Sequence, residues 1–181
     1  SIITNFTNMR VLMITSEWPS EDCPFSAPFV VRQFTKLKEN NIDVDVVHVR
    51  GAGKLFNYFK NWKKVHKILK NGNYNLMHAQ WGQSALSVIP SGLPLIVTYR
   101  GDDLEGIINA KGKHGLNSYL LQFIGRMVSV FSNHNIVVSS HMIPKLWSTK
   151  TPVAIIPSGI DFSKLPTLTK AQSREKWNFP E

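Results

Sequence analysis

The residues best suited to ligand chemistry follow directly after a run of apolar residues. Residues 95–99 (Leu-Ile-Val-Thr-Tyr) are typical of a buried strand. Four candidate residues come next: Arg100, Gly101, Asp102 and Asp103. Arginine presents a planar fork suited to phosphate or carboxylate, glycine permits close backbone approach, and a carboxylate can accept the hydroxyl groups of a sugar. Because ligands of parallel sheets bind beyond the carboxyl ends of the strands, this is the leading candidate site. The alternative is a solvated loop whose Asp103 caps the helix that follows.

Two further segments are candidates for the same cleft. His78 ends another short strand, where it either lines the cleft with Arg100 or is a hydrogen-bonded core histidine. Ser26 and Ala27 precede Pro28 at the expected start of a helix, whose free backbone amides can bind a phosphate. An ordinary helix start capped by Ser26 is the alternative.

Several classes of site are disfavoured by missing motifs. Residues 16–28 contain no glycine, which argues against the Gly-x-Gly-x-x-Gly turn of NAD- or FAD-binding domains, and no P-loop occurs. The six histidines never pair at the i, i+4 spacing of a helical metal site, and Cys23 is the one cysteine. No Gly-x-Ser-x-Gly elbow supports a catalytic triad. We therefore expect neither a bound metal nor a cofactor.

Residues 54–70 form the clearest amphipathic helix in the sequence. At about 100° per residue, its apolar side chains fall on one stripe and its lysines on a separate arc. The stripe consists of Leu55, Tyr58, Phe59, Trp62, Val65, His66 and Leu69. The arc consists of Lys60, Lys63, Lys64, Lys67 and Lys70, with Phe56 among them. Two interpretations stay open: a solvated lysine face, or a helix that lies on an anionic membrane through the lysines and Phe56.

Composition describes a basic, globular chain. The 181 residues include 21 Lys and Arg against 12 Asp and Glu, a formal net charge of +9. This excess fits nucleic acid, an anionic membrane surface or a phosphate-bearing ligand as a partner and does not select among them. No apolar run approaches the roughly 20 residues of a membrane-spanning helix. A lone cysteine and the lack of a recognisable secretory signal predict a cytoplasmic protein, free or held peripherally on the inner face of the cell membrane.

Short apolar runs alternate with helical patterns along the chain. The predicted strands are residues 10–15, 43–49, 76–79, 95–99, 135–138 and 153–156. The predicted helices are residues 26–39, 54–70, 83–89, 116–131 and 140–147. This alternation predicts an α/β, Rossmann-like three-layer αβα domain with a mostly parallel sheet of about six strands.

The ends of the chain differ from this pattern. Residues 1–8 read as an extension, residues 9–160 as the domain and residues 161–181 as a linker. Within the linker, Thr169 and Ser173 are expected to be irregular, and a helix begins at Arg174.

Six short motifs follow one another along the domain. They are Phe29-Val30-x-x-Gln33-x-x-x-Leu37-Lys38, Asp43-Val44-Asp45-Val46, Met77-His78-Ala79-Gln80-Trp81-Gly82, Val97-Thr98-Tyr99-Arg100-Gly101-Asp102-Asp103-Leu104, Val137-Val138-Ser139 and Ile156-Pro157-Ser158-Gly159-Ile160-Asp161. Their order and spacing resemble the amino-terminal half of a group 1 (family 4) retaining glycosyltransferase. Arg174-x-x-Trp177-x-Phe179-Pro180 resembles the entry to the second domain of that family.

The resemblance implies one half of a GT-B enzyme, in which two Rossmann-like domains face each other. This half would hold the acceptor, a saccharide or lipid-linked saccharide, while the nucleotide-sugar donor binds mainly to the other half. The Glu-x7-Glu donor motif of the family has no counterpart here, so the chain alone is expected to have negligible turnover. The implied reaction transfers a hexosyl unit with retention, in polysaccharide or glycolipid synthesis, without a catalytic metal.

Residue roles follow from the patterns and the resemblance together. Arg100 and Asp103 are assigned to catalysis. The substrate-binding assignments are Ser26, Ala27, His78, Gln80, Trp81, Gly101 and Asp102.

Three departures from the family pattern qualify these roles. Residues 25–28 replace a glycine-rich loop, Asp102 stands where serine is common, and Arg100 stands where many members have a histidine. The proton chemistry of that histidine does not carry over, and we expect Arg100 to stabilise a diphosphate leaving group or contact an acidic acceptor. The rival interpretation is a non-catalytic Rossmann-like module for an anionic ligand or nucleic acid, with nucleic acid the less favoured partner.

Overall fold

A computed structural model describes residues 9–51, 56–160, 162 and 167–179. Six parallel strands form one sheet in the order β2-β1-β3-β4-β5-β6. The strands are β1 (Arg10–Thr15), β2 (Asp43–His48), β3 (Leu76–Gln80), β4 (Leu95–Tyr99), β5 (His134–Val137) and β6 (Val153–Ile155). The predicted α/β, Rossmann-like architecture is confirmed. Each strand lies within one residue of its predicted bounds, and the sheet is wholly parallel.

The strand order places a topological switch point beside β1. The chain leaves β1 for β2 on one side and later returns to β3 on the other. In sheets of this kind the crevice at the carboxyl ends of the two strands flanking the switch is where ligands bind.

Helices cover both faces of the sheet. The helices are α1 (Pro28–Glu39), α2 (Phe56–Asn71), α3 (Asp102–Glu105), α4 (Leu116–Phe131) and α5 (Lys170–Lys176), with 3-10 turns at Gly82–Ser87 and Ser140–Lys145. Helix α5 has no buried residue and is not part of this covering. Helix α1 buries Val30 against one face, in a cluster with Met13 and Val44. Helices α2 and α4 pack on the opposite face, where Val65 and Val128 join the larger core cluster. The 3-10 turn Gly82–Ser87 lies between them and contacts both.

Two predicted helices are shorter and tighter than expected. Residues 83–89 and 140–147 were predicted as helices, and both segments form 3-10 turns of six residues. The Ser139 hydroxyl does not cap the second turn, because it bonds the ring of His141 at 2.8 Å. Geometry of the 3-10 type is common in short helical connectors of this kind.

Two helix starts also differ from prediction. Ala27, rather than Ser26, occupies the N-cap of α1, and its carbonyl accepts the N–H of Val30 at 2.9 Å. Helix α5 begins before the predicted Arg174, because Thr169 and Gln172 form a reciprocal capping box. Part of the predicted linker is therefore helical. Residues 1–8, 161 and 163–166 lie outside the described part of the chain.

Candidate functional site at the carboxyl edge of the sheet

Adjacent strands bring the predicted site residues to one edge. Gln80 at the end of β3 pairs with Thr98 near the end of β4. The segments that continue these strands, Trp81 after β3 and Arg100 after β4, are therefore neighbours. Trp81 N–H donates to the Thr98 carbonyl at 2.9 Å, which extends the ladder by one bond. The structure thus joins two motifs that are 20 residues apart in sequence.

The Arg100 guanidinium is held by three other elements. Its Nε donates to Gln80 Oε1 on β3 at 3.2 Å, and its Nη2 donates to Gln33 Oε1 on α1 at 3.2 Å. Its Nη1 donates to Ser158 Oγ, beyond β6, at 3.0 Å. One side chain therefore ties the end of β4 to α1, to β3 and to the segment after β6.

Two aromatic rings flank the same guanidinium. The Arg100 Cζ lies 4.5 Å from the ring centroid of Phe29 and 5.6 Å from that of Trp81. Cations are attracted to the faces of such rings, more strongly where water is excluded. Burial lowers the pKa of Arg100 to about 10, and the Asp103 carboxylate opposes that effect. Arg100 is therefore positively charged at neutral pH.

A cavity of about 680 Å³ opens between α1 and the segment after β6. Its volume falls in the range of roughly 300–1,000 Å³ that small-ligand sites occupy. Its polar lining includes Arg32, Gln33, Lys36, Glu39, Thr98, Arg100 and Ser158. Lys36 is paired with Glu39 at 2.6 Å, and with Arg32 and Arg100 also in the wall the cavity is suited to a ligand with anionic or hydroxyl groups.

Asp103 is buried and faces backbone amides. Its side chain is 0% exposed, and Oδ2 accepts the Gly82 N–H at 3.0 Å. Its Oδ1 accepts the N–H groups of Arg100 and Gly101, each at 3.1 Å. Burial raises the pKa of Asp103 to about 6, while the three amides favour the charged form. The carboxylate thus joins the loop after β4 to the turn after β3 through hydrogen bonds. The sequence alone did not reveal this contact.

Gly101 and Asp102 begin α3 at the same edge. Gly101 has φ 139°, a backbone conformation that glycine adopts without strain. Burial raises the pKa of the partly exposed Asp102. Glu17, which follows β1, also has a raised pKa, first through burial and then through the charge of Asp102. The sequence analysis missed Glu17 because it lies 85 residues before Asp102 and belongs to none of the motifs.

His78 is buried beside the site without lining the cavity. Its Nε2 lies 2.8 Å from Thr98 Oγ1 and 3.3 Å from the amide nitrogen of Gln80. An amide nitrogen can only donate, so Nε2 is the acceptor and the ring is neutral. Burial, and then the charge of Arg100, lower the pKa of His78 to about 4. Of the two open interpretations, the position is that of a hydrogen-bonded core histidine.

Two segments of the edge carry strained backbone. Trp81 has φ 70° and Ala27 has φ 44°, although neither is glycine. Such conformations cost of order 1–3 kcal/mol and cluster at functional sites. Ala27 is buried at the start of α1, with Ser26 partly exposed before it. Their proposed contact with a phosphate stays a prediction.

Comparisons with known proteins concern the fold. No protein-family model matches the chain, and no curated protein sequence does. Among solved structures, the chain is similar to sucrose-phosphate synthase from Thermosynechococcus elongatus, a GT-B glycosyltransferase, with a TM-score of 0.66 and 12% identity. The match covers 95% of this chain and 53% of the synthase. This chain has the fold of half a GT-B enzyme. It spans about half the length of that synthase.

The lysines of α2 lie away from this site. Lys60, Lys63, Lys64 and Lys67 are all exposed. Phe56 is 67% exposed, and Lys60 Nζ lies 5.5 Å from its ring centroid. Phe59 was predicted on the buried stripe, yet it is 55% exposed, whereas Tyr58 and Val65 of the same stripe are buried in the core. The predicted stripe residue Leu55 lies outside the described residues. Membrane contact by this arc stays a prediction.

Metal and membrane-spanning features are absent from the described ranges. Within them, no group of three or more His, Cys, Asp or Glu side chains is arranged to hold a metal ion. No helix in the same ranges is long and apolar enough to cross a bilayer.

Proposed function

We propose that this chain is the acceptor-binding, amino-terminal half of a GT-B glycosyltransferase. The enzyme transfers a hexosyl unit from a nucleotide sugar, with retention of configuration, to a saccharide or lipid-linked saccharide. Its place is polysaccharide or glycolipid synthesis on the cytoplasmic side of the membrane. The observation that carries the proposal is the similarity of 95% of the chain to half of sucrose-phosphate synthase, combined with a charged cavity beside the carboxyl edge of the sheet.

Arg100 is the central residue of the proposal. It lines the cavity, stays charged at neutral pH and is held in place through Gln33, Gln80 and Ser158. A fixed cation of this kind stabilises negative charge that develops on a departing nucleoside diphosphate, or binds an acidic acceptor. Gln33 and Ser158 were part of the recognised motifs without a role, and we propose that both position the guanidinium.

Asp103 has a different role in this proposal. Because its carboxylate is buried and already accepts three amide hydrogen bonds, it acts as a positioning residue rather than on the substrate. The partly exposed groups beside it, Gly101 and Asp102, are the proposed contacts to substrate hydroxyls. Trp81 is 5% exposed and its side chain hydrogen-bonds Asp102, so we propose that it positions that carboxylate. Most of the donor site lies in the other half of such an enzyme.

A transfer assay tests the central assignment. Protein containing both halves is assayed with a panel of nucleotide sugars and acceptors, and Arg100→Ala is compared with Arg174→Ala, which removes the same charge on α5. We expect Arg100→Ala to lower the transfer rate at least tenfold. Removing a single group that stabilises charge in the transition state causes a loss of at least this size. Melting temperatures of both variants separate loss of chemistry from loss of fold. An unchanged rate in Arg100→Ala would overturn the assignment.

The net charge of +9 supports the second candidate function, a non-catalytic module for nucleic acid. Such a module binds an oligonucleotide tightly and loses affinity steeply as salt is added, because each phosphate contact releases a counterion. A salt-titrated mobility shift measures this directly. Tight binding with a steep slope, and no sugar transfer by the two-half protein, would favour the module.

A further inference from the structure

Helix α4 is apolar over most of its circumference, and the polar side chains Ser118, Gln122, Arg126 and Ser129 share one narrower arc. Ile124, Gly125 and Val128 face inward and are buried in the core. The outward side chains include large apolar residues that remain exposed: Leu116, Tyr119, Leu120, Phe123, Val130 and Phe131. The apolar side of a helix in a globular protein ordinarily faces the core and is covered. One side of α4 is covered by the protein and the other is open.

Neighbouring segments extend this open face. Trp147, which follows the turn Ser140–Lys145, meets Phe123 edge to face at 5.2 Å between ring centroids. Ile107 and Ile108 lie on the loop that leads into α4 and are each more than half exposed. Single exposed apolar residues need no explanation, whereas a contiguous aromatic and aliphatic surface marks an interaction site. We call these residues, with the outward side chains of α4, the α4 face.

The charges around the α4 face are mostly positive. Glu105 of α3, just before Ile107, is a carboxylate there, and it is already paired with Lys145 at 2.6 Å. No Asp or Glu occurs between Asp45 and Asp102, or between Glu105 and Asp161. These two carboxylate-free stretches contain α2, the turn Gly82–Ser87 and α4, which share the helical layer on one face of the sheet with α3 and the turn Ser140–Lys145. The cations of the layer include Lys60, Lys63, Lys64 and Lys67 on α2, Lys111 and Lys113 before α4, and Arg126 on α4.

We propose that the helical layer of α2 and α4 docks on an anionic lipid bilayer. The α4 face enters the boundary between headgroups and acyl chains, where Trp, Tyr, Phe and Leu are favoured. The lysines of α2 contact the lipid phosphates at the surface. This inference stands independently of the proposed sugar transfer, since it concerns a different surface of the molecule.

A second copy of the chain fits the α4 face less well. In a two-fold dimer the same surface meets itself, so Arg126 and the lysines of both copies would come together. Neither α2 nor α4 has a carboxylate to pair with them, Glu105 of α3 is already paired with Lys145, and like charges at an interface cost several kcal/mol. Lipid headgroups supply the missing negative charge.

Co-sedimentation of the 181-residue chain with vesicles tests the proposal. We expect binding to vesicles of phosphatidylcholine and phosphatidylglycerol in equal parts, and little binding to phosphatidylcholine alone. Replacing Leu116 and Leu120 by Ser should weaken binding about tenfold or more, because two exposed apolar side chains no longer enter the bilayer. The matched control replaces Phe25 and Phe162 by Ser, two exposed aromatic residues outside the layer.

A second pair of variants tests how the lysines of α2 contribute to vesicle binding. Replacing Lys60, Lys63 and Lys64 by Gln should weaken binding roughly 100-fold at low salt. Replacing Lys170, Arg174 and Lys176 of α5 by Gln removes the same charge elsewhere and should have a small effect. Equal losses in the two triple variants would show attraction to net charge alone and would overturn the proposed orientation.

An environment-sensitive fluorophore tests insertion of the α4 face. The dye is attached at Leu116→Cys in a Cys23→Ser background, and in a second sample to the exposed natural Cys23. Anionic vesicles should shift the emission of the dye at position 116 to the blue and leave the dye at Cys23 unchanged. No shift at position 116, or a stable dimer by sedimentation velocity that the Leu116 and Leu120 variant dissociates, would overturn the proposal.

Discussion

Buried polar side chains control the geometry of the site at the scale of single residues. His78 and Asp103 are both removed from water, yet each hydrogen-bonds a segment that carries exposed site residues. Burial shifts their pKa values in opposite senses, because it disfavours the charged form of each. The stability of the site should therefore depend on pH in a way that variants at these positions can reveal.

His78 should make folding sensitive to acid. Its pKa falls from 6.5 to about 4 on folding, so between these values the unfolded chain binds a proton that the native chain does not. Stability is therefore lost as the pH falls from 6.5 towards 4, by up to roughly 3 kcal/mol. Urea unfolding across this range should show a shallower pH dependence for His78→Gln. His48→Gln, at an exposed strand end, is the control and should retain the native slope.

Asp103→Asn should loosen the loop after β4. An amide group offers one acceptor oxygen in place of two and directs a donor at the backbone N–H groups of Gly82 or Arg100. An unsatisfied buried donor costs about 1–3 kcal/mol, so the free energy of unfolding should fall by about that amount. The partly exposed Asp102→Asn is the matched control. If both variants unfolded at the same denaturant concentration, the three amide contacts would not be stabilising the loop.

Close packing between elements joins α4 to the site. A side chain at Gly125 would meet the carbonyl oxygen of Asp103 well inside van der Waals contact, and one at Gly82 would approach the Gly125 Cα at 2.8 Å. The loop after β4, the turn after β3 and α4 thus meet at two glycines. Helix α4 supports the site from behind while its other side is exposed.

Gly125→Ala should separate these elements. The added methyl group forces α4 away from the loop that carries Arg100, and we expect a loss of about 2 kcal/mol or more in stability, typical of overpacking against backbone. Gly115→Ala, at the start of the same helix, adds the same methyl group where nothing lies within 4 Å. Calorimetric melting of both variants checks the prediction, and equal melting temperatures would contradict it.

The elements themselves were largely predictable from sequence. Runs such as residues 10–15 and 95–99 are apolar and rich in β-branched residues, and strands buried on both faces need no alternation. The orientation of α4 was not predictable. Its apolar residues Leu116, Leu120, Phe123 and Val130 are exposed, whereas Ser118 and Ser129 are buried, so hydrophobic periodicity favours the wrong side of the helix.

The contacts of the site were harder to predict than its position. The loop at Arg100 was located because a charged segment ends a buried strand. Its partners Gln33 and Ser158 lie 67 and 58 residues away in the sequence, and only the sheet order brings them together. Tertiary packing determines that the Arg100 guanidinium points towards α1. It also determines that Asp103 is buried.

At the scale of the whole molecule, the chain spans about half of the synthase that it matches. If the donor site belongs mainly to the other half, nucleotide sugars should not change the melting temperature of the 181-residue chain, because a ligand stabilises only a protein that binds it. Protein containing both halves should melt at a higher temperature with the correct donor. A donor-dependent shift in the 181-residue chain alone would assign donor binding to this half.

The separation of charge across the sheet has a kinetic consequence. Acidic residues lie on the side of α1 and β2 and around α3, whereas the layer of α2 and α4 carries cations alone. Such a molecule is an electric dipole as well as a cation, so the field of an anionic surface turns it before contact is made. Most encounters then occur with the layer of α2 and α4 facing the surface. Their rate falls as salt is added, because the field extends only about 8 Å at physiological ionic strength.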